Sequence, residues 1–505
     1  MSILKKLASE TASYGVSTIL GRSLNFLLVI VHTAAFLPKE LNVNVKLYAY
    51  IAIANIIYTY GMETAFFRFA AEDKAKYYNI IQTAITVSSC VFSGILTLFS
   101  SPIISALGYP GKEMFLIWIA LIVATDAITA IPFARLRLEK KTKQFVKAKI
   151  FNILVNVALN VIFLLGFKKI AEGDYFLFLQ PLAQKLYVPS IGAGYIFLAN
   201  LLANFSLFYF LKAEFKDFKF QFDKDAFRNL WIYAYPVMIM TLASTFNLMF
   251  DRILLEKLLP EGFYPNLTSQ EALGIYGNVY KLSIFMSLAT QAFRYAAEPF
   301  FLSKVDDKNS PETLADVTKW FLITCIFIWL GVCLNLDLLK VLFLRKQIYW
   351  EGMSVVPILL LANLFLGVYY NISVWFKLNK KTYFGTRITL IGLAITILFN
   401  IILIPRMGYM GCAVAFLISC FSMTAICYYY GQKYYPVPYK ILSAFGYIVS
   451  AGVLIFCTLK INIDNLWVSV PYHLLLLILY TAGVVLVERK TIIPLKVRDK
   501  YAFLK

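Results

Sequence analysis

The sequence predicts an all-α polytopic membrane protein of about fourteen transmembrane helices. They form two parallel six-helix repeats around a central cavity, with two extra helices towards the C-terminus. Three observations carry this expectation. Hydrophobic residues make up 60% of the chain and charged residues only 15%, whereas a water-soluble domain has about a quarter of its residues charged. Fourteen apolar runs are long enough, near 20 residues each, to cross about 30 Å of hydrocarbon. Finally, Phe67, Arg68, Phe69, Ala70, Ala71, Glu72 is echoed 226 positions later by Phe293, Arg294, Tyr295, Ala296, Ala297, Glu298.

The runs fall in order along the chain. Those at 11–37, 46–70, 78–107, 113–137, 146–167 and 191–212 make the first repeat. Those at 229–257, 273–303, 317–338, 354–376, 385–404 and 408–431 make the second, and 440–460 and 466–488 are additional. Some, such as 229–257 and 273–303, exceed what spanning requires, which implies tilt or extension into water. The expected units are therefore 1–220 (N-lobe, helices 1 to 6), 221–435 (C-lobe, helices 7 to 12) and 436–505 (helices 13 and 14 with a basic tail).

Weaker echoes support the duplication. At an offset of 240, Leu138, Glu139, Lys140, Lys141, Thr142 faces Leu378, Asn379, Lys380, Lys381, Thr382, and Asn160 faces Asn400. Segments 1 and 7 align through Asn25 and Asn247, with Arg22 where the second copy has Ser244. The offset of 226 also sets Tyr50 against Tyr276 and Asn55 against Lys281. The copies thus share a scaffold and differ in their buried charge.

Basic loops stay cytoplasmic. Counting residues within three positions of a run end with the adjoining loop, the N-terminus, the even-numbered loops and the C-terminal tail hold 32 of the 48 Lys and Arg, against 12 in the odd-numbered loops. Both termini are expected to be cytoplasmic, and the net charge of +20 is mostly topology, which argues against a nucleic-acid partner. Lys5 and Lys6 precede an apolar stretch too long for a secretory signal, so it reads as the first membrane helix. The seven cysteines all lie in apolar runs without a Cys-x-x-Cys pair, and His32 and His473 stand isolated, so neither a disulfide framework nor a metal site is indicated.

Charged side chains deep in a bilayer cost several kcal/mol and face protein or a watery cavity. Arg22, Glu63, Asp126, Lys281 and Arg294 sit within the apolar runs, and Asp251 and Arg252 lie close to the end of segment 7. The cations come from both repeats, so a central cationic cleft is expected. Such a cleft attracts anions, and Arg suits phosphate because its planar fork donates two hydrogen bonds at once. The structural alternative pairs Asp251 with Lys281, Glu63 with Arg22, Arg68 with Glu72 and Arg294 with Glu298. Glu63 and Asp126 are candidates for ion coupling, and Asp251 with Arg252 for a gating pair. The loop 135–149 sets seven basic residues against Glu139 and could gather an anionic headgroup. Tyr48, Tyr50, Tyr58, Tyr60, Tyr276 and Tyr280 offer faces suited to sugars. With no Gly-x-x-x-x-Gly-Lys motif, the energy source is expected to be an ion gradient, the membrane potential, the substrate gradient or a partner ATPase, and no cofactor is indicated.

The chain resembles the bacterial oligosaccharide-lipid flippases of O-antigen, capsule and exopolysaccharide pathways, within the multidrug and oligosaccharidyl-lipid exporter superfamily. The resemblance rests on Gly21, Arg22 and Asn25; on Pro132, Phe133, Ala134, Arg135 and the basic loop after them; on Asp251, Arg252; and on Gly274, Ile275, Tyr276, Gly277 with Tyr280, Lys281, Leu282. It covers most of segments 1 to 12. It implies two six-helix bundles rocking about a cavity in the bacterial inner membrane, carrying an undecaprenyl-diphosphate-linked oligosaccharide by alternating access. Arg22, Lys281 and Arg294 would hold the diphosphate or acidic sugars, and Asn25, Tyr50 and Tyr276 the glycan. Membrane lipids surround it, and a polysaccharide polymerase and ligase would be partners. A lipid II flippase and a cation-coupled multidrug antiporter of the same superfamily remain open. A membrane glycosyltransferase is the weakest reading, because neither long external loop, 168–190 or 258–272, supplies a convincing set of carboxylates.

Overall fold

The computed structural model describes residues 3–303, 310–379, 381–461, 463 and 465–492. Every predicted apolar run is occupied by helix. The first copy runs through α1 (Ile3–Ala35), α2 (Pro38–Thr59), α3 (Met62–Phe69), α4 (Lys74–Leu98), α5 (Ser100–Ala106), α6 (Glu113–Leu138) and α7 (Thr142–Val161). It continues by a π turn into α8 (Lys168–Glu172), then through α9 (Gln180–Leu186) to α10 (Tyr195–Phe210). The short α11 (Lys212–Lys216) leads to α12 (Lys224–Leu258), α13 (Ser269–Tyr280), α14 (Ile284–Ser303), α15 (Ser310–Leu334) and α16 (Leu336–Phe343). There follow α17 (Val356–Ile372), α18 (Val374–Leu378), α19 (Tyr383–Met407), α20 (Tyr409–Tyr434), α21 (Ile441–Leu459) and α22 (Leu466–Ile492).

Among the described residues, eleven helical stretches are long and apolar enough to span a bilayer, and Ile19–Ala35 of α1 is a shorter apolar one. The remaining two predicted segments, the second and the eighth, are equivalent in the two repeats and are broken helices. Segment 2 divides at Tyr60 and Gly61, both left-handed, and segment 8 passes through a 3-10 turn at Lys281–Ser283. These breaks correct the expectation of single helices at 46–70 and 273–303. Both segments also carry polar side chains, such as Lys46, Asn55, Asn278 and Lys281, which are tolerated only where they face protein or a cavity.

Helix starts follow local chemistry. Glu40 accepts from the Leu37 N–H (2.8 Å) with Pro38 at the first turn of α2. Asp73 caps α4, Asp223 caps α12, and Thr268 with Glu271 forms a capping box on α13.

The packing obeys the repeat. In the first copy α1 lies on α7, α4 on α6, and α10 on both α6 and α7. In the second α12 lies on α19, α15 on α17, and α20 on both α17 and α19. Across the seam α1 packs on α14 as α12 packs on α2, and α2 meets α13. Gly274 and Gly277 make that last contact possible, because a side chain at either would strike Pro38 or Val45. The duplication extends to single hydrogen bonds. Asn156 donates to Asn25 (3.4 Å) and Asn160 to the Asn156 carbonyl (2.8 Å); likewise Thr396 donates to Asn247, and Asn400 to the Thr396 carbonyl (2.8 Å).

Of the buried apolar clusters among the described residues, one gathers α2, α3, α4, α6 and α10 with the start of α12, and another gathers most of α13 to α21 and crosses the seam to Phe26, Val29, Leu41 and Val45 of α1 and α2. The extra helices α21 and α22 pack on α15, where buried Lys319 and Glu488 pair at 2.8 Å. Their outer faces, with Leu442, Trp467 and Val487 exposed, suit a lipid environment. Where α2 begins and α12 ends, the copies are joined by Lys46 and Glu256 (2.8 Å), with Lys46 only 2% exposed. Lys46 also donates to the Leu107 carbonyl (2.7 Å), and Tyr109 hydrogen bonds Asn42 (2.5 Å) and Glu256 (3.3 Å).

Candidate functional site

The seam between the copies holds a cavity with two adjoining compartments of about 570 and 430 Å³. Asn25, Met249, Tyr280 and Lys281 line both. The larger adds Arg22 of α1, and Gln291 and Arg294 of α14, with Asn363 and Tyr370 of α17. The smaller adds His32, Asn44, Tyr48, Asn160, Asn200 and Arg252, among others. Among the described lining residues are four cations, Arg22, Arg252, Lys281 and Arg294, and no Asp or Glu.

Each cation is presented by local structure. Lys281 occupies the 3-10 break between α13 and α14, and its ammonium donates to Asn278 Oδ1 one turn earlier (3.0 Å). Arg294 is exposed to the cavity, with its guanidinium 5.4 Å from the Tyr370 ring centre. Arg22 is likewise exposed on α1. Arg252 is 7% exposed, lies 3.9 Å from the Tyr280 ring centre and 3.6 Å from the Asp251 carboxylate, and donates to the Leu248 carbonyl (2.7 Å).

The structure thus brings Arg22, Asn25, Tyr48, Arg252, Tyr280, Lys281 and Arg294 to one cavity and separates Tyr50, Tyr276, Glu63, Asp126 and Asp251 from it. Tyr276 is fully buried and donates to Asp251 (2.5 Å), so its hydroxyl is spent inside the second copy. Tyr50 is half-buried and packs with the apolar cluster of Ile253, Leu242, Phe246 and Phe250. Neither lines the two compartments. Asp251, expected against Lys281, is held by Arg252 and Tyr276 instead. Glu63, expected against Arg22, accepts from Arg137. Asp126 accepts from Asn55 (3.2 Å) and Asn204 (2.8 Å), a closed polar cluster within the first copy. Arg68 lies beside the Phe69 ring and Glu72 accepts from Tyr77 (3.2 Å), so that helical pair does not form. The Glu298 side chain lies outside the described residues.

Of the seven cations in the basic loop between α6 and α7, Arg135, Arg137 and Lys141 are paired with acids. Glu139 receives Lys74 (2.7 Å), Arg135 (3.0 Å) and Lys141 (2.7 Å), while Asp217 takes Arg135 (2.7 Å) and Glu214 takes Lys141 (3.3 Å). Burial pushes the Glu139 carboxyl up, but the three cations outweigh it and hold the group down at about 2. This leaves less free positive charge for a headgroup than the sequence implied.

The asparagines are what the sequence reading missed. His32 Nε2 hydrogen bonds Asn160 Oδ1 (2.9 Å), and Asn200 donates to Tyr48 (3.1 Å), although His32 looked isolated. The available signal was the density of Asn within otherwise apolar runs.

No family model matches this chain, and no curated protein sequence matches it significantly. Solved structures do. The lipid II flippase MurJ in an inward closed conformation aligns with TM-score 0.72 at 15% identity, covering 94% of this chain and 99% of that one. A multidrug resistance MATE family transporter of the MOP superfamily aligns in its inward-facing conformation (TM-score 0.57, 13% identity, 86% of this chain and 94% of that one). An outward-facing conformation of a multidrug resistance MATE family transporter of the MOP superfamily aligns equally well (TM-score 0.57, 13% identity, 85% and 95%). The chain therefore has the polytopic, duplicated helical fold of these transporters.

Proposed function

We propose that this protein is a flippase that moves an undecaprenyl-diphosphate-linked oligosaccharide, the repeat unit of an O-antigen, capsule or exopolysaccharide, across the bacterial inner membrane by alternating access. The observation that carries the reading is the seam cavity with four cations and no carboxylate among its described lining residues. A site of that sign draws a diphosphate out of the headgroup region and disfavours a cationic drug. Arg22, Lys281 and Arg294 bind the diphosphate, since two guanidinium forks and an ammonium match its oxygens. The lipid tail stays in the bilayer while the two lobes, 1–220 and 221–435, rock about the cavity. The cargo's binding free energy must be similar in the two facing states, or it would be trapped in one of them.

A lipid II flippase is the second reading, favoured by the stronger likeness to MurJ than to the MATE transporters. Both readings place a polyprenyl diphosphate at the same cations and differ in what the diphosphate carries. The cation-coupled drug antiporter is disfavoured by the absence of an acid along the described cavity wall. Asp126, already hydrogen bonded to two asparagines, could serve such coupling only by exchanging those bonds.

The test is translocation of a fluorescent diphospholipid-linked oligosaccharide in liposomes, with lipid II as competitor. The parent protein is expected to flip the oligosaccharide lipid, and Arg22→Ala and Lys281→Ala to lose that activity at equal reconstitution. Transport of lipid II alone moves the assignment to the second reading. Proton-dependent export of a cationic dye, without lipid transport, refutes both.

A further inference from the structure

The smaller compartment differs chemically from the larger. Along one wall a chain of hydrogen bonds links Asn25 to Asn156 (3.4 Å), Asn156 to Asn160 (3.0 Å) and Asn160 to His32 (2.9 Å). Two turns of α1 separate Asn25 from His32, and one turn of α7 separates Asn156 from Asn160, so the four side chains form a ladder along the α1–α7 seam. On other walls stand Asn200 of α10 and Asn44 of α2. Asn44 is 5% exposed; its amide donates to the Ala193 carbonyl (3.1 Å), while its Oδ1 is buried without a hydrogen-bond partner. A buried acceptor left in that state is unfavourable, and a donor from a ligand would relieve it.

The second copy shows that holding the helices together does not require this chemistry. There Thr396 stands at the position of Asn156 and makes the equivalent bond to Asn247, which is only 5% exposed, whereas its counterpart Asn25 is exposed and Asn156 half-buried. The first copy puts a carboxamide where a hydroxyl suffices and turns the cluster towards a cavity. A carboxamide presents a donor and an acceptor side by side, the pattern that matches a sugar's vicinal hydroxyls or an acetamido group. Of the compartment's two cations, Arg252 is engaged with Asp251 and the Tyr280 ring, and Lys281, held by Asn278, stands at the boundary with the larger compartment beside Arg22 and Arg294.

We infer that the compartment walled by Asn44, Asn156, Asn160 and Asn200 is a glycan subsite that binds uncharged, hydroxyl- or acetamido-bearing sugars, next to the cationic subsite of Arg22 and Arg294. The inference rests on the proposed function, in that the sugar is presented on a diphospholipid.

Three probes test it in lipid nanodiscs: a polyprenyl diphosphate bearing an uncharged N-acetylated disaccharide, the same lipid bearing a disaccharide with one uronic acid, and the bare polyprenyl diphosphate. The parent should bind the uncharged probe tightest. Asn156→Thr, which copies the second repeat and preserves the helix link, and Asn44→Ala should each weaken the uncharged probe about three- to tenfold. Both should leave the bare lipid unchanged, whereas Arg22→Ala should weaken all three. Equal losses for sugar-bearing and bare lipids, or tighter binding of the acidic probe, would overturn the subsite while leaving the flippase reading intact. A parent that binds none of the three refutes both.

Discussion

The two copies of the six-helix design keep the same hydrogen-bond skeleton and spend it differently. In the second copy Asn247, Thr396 and Ser419 close a buried cluster, and Asp251 is sealed beneath Arg252 and Tyr276. In the first, the corresponding Asn25 and Asn156 face the seam, while Asp126 is closed off by Asn55 and Asn204. At the paired position of the broken segment, Asn55 serves that internal cluster and Lys281 reaches the cavity. Duplication supplies the scaffold, and the cavity chemistry lies where the copies diverge.

Removing the acid from each copy gives the largest contrast. Asp251→Ala leaves the Arg252 guanidinium buried without its carboxylate and should cost about 3 to 5 kcal/mol. Asp126→Ala strips acceptors from two amides and should cost about 1 to 3 kcal/mol. Thermal unfolding in detergent checks the order. A reversal would mean that Asp126 carries the heavier electrostatic load.

Next comes the divergent pair. Under the proposed function, Lys281→Ala removes a charge-assisted contact to the diphosphate, about 1.5 to 3 kcal/mol or tenfold and more in transport. Asn55→Ala should lower stability and leave flipping of reconstituted protein within about twofold. Equal transport losses would erase the distinction between cavity and scaffold.

The breaks in segments 2 and 8 can be compared through Gly61 and Ser287, which correspond at the offset of 226. Gly61 has φ of +76°, and a Cβ there would approach the Ala234 carbonyl oxygen to 2.6 Å. Gly61→Ala should therefore destabilise by about 1 to 2 kcal/mol or more. Ser287, inside regular helix, should tolerate Ala within about 0.5 kcal/mol.

The smallest effect concerns pH. Glu139 is held at about 2 against an ordinary 4.5, so its ionised form stabilises the native state above the unfolded value. That contribution is present near neutrality and fades as pH falls from 4.5 towards 2. Unfolding of the parent and of Glu139→Gln, followed from pH 6 downwards, should converge across that window, and curves that stay parallel would assign the group no such role.

Sequence legibility followed physical range. Hydrophobic length and the echo around Arg68 and Arg294 exposed the spans and the duplication, because both are properties of the chain alone. The cations Arg22, Lys281 and Arg294 were visible because charge inside an apolar run needs a cavity or a partner. The partners themselves were not visible. Glu63 bonds Arg137 from α6, and Asp251 turns to Tyr276 rather than Lys281; these choices depend on how neighbouring helices are rotated, which spacing within one helix does not encode. Tyr50 and Tyr276 were read as cavity residues from their type, yet each is directed into packing by the helix face it occupies. The asparagine ladder escaped notice because its members, Asn25, Asn156 and Asn160, are distant in sequence and meaningful only together.

The buried pair of Lys46 and Glu256 gives the protein a particular way of parting at that end. Were an apolar plug to join the copies, separation would wet its whole surface before anything polar was gained. A lysine and a glutamate on opposite lips can instead exchange each other for water, or for the hydroxyls of a passing sugar, one hydrogen bond at a time. Dissolved salt would then ease the separation, and a mouth opened there would present cargo with one positive and one negative rim.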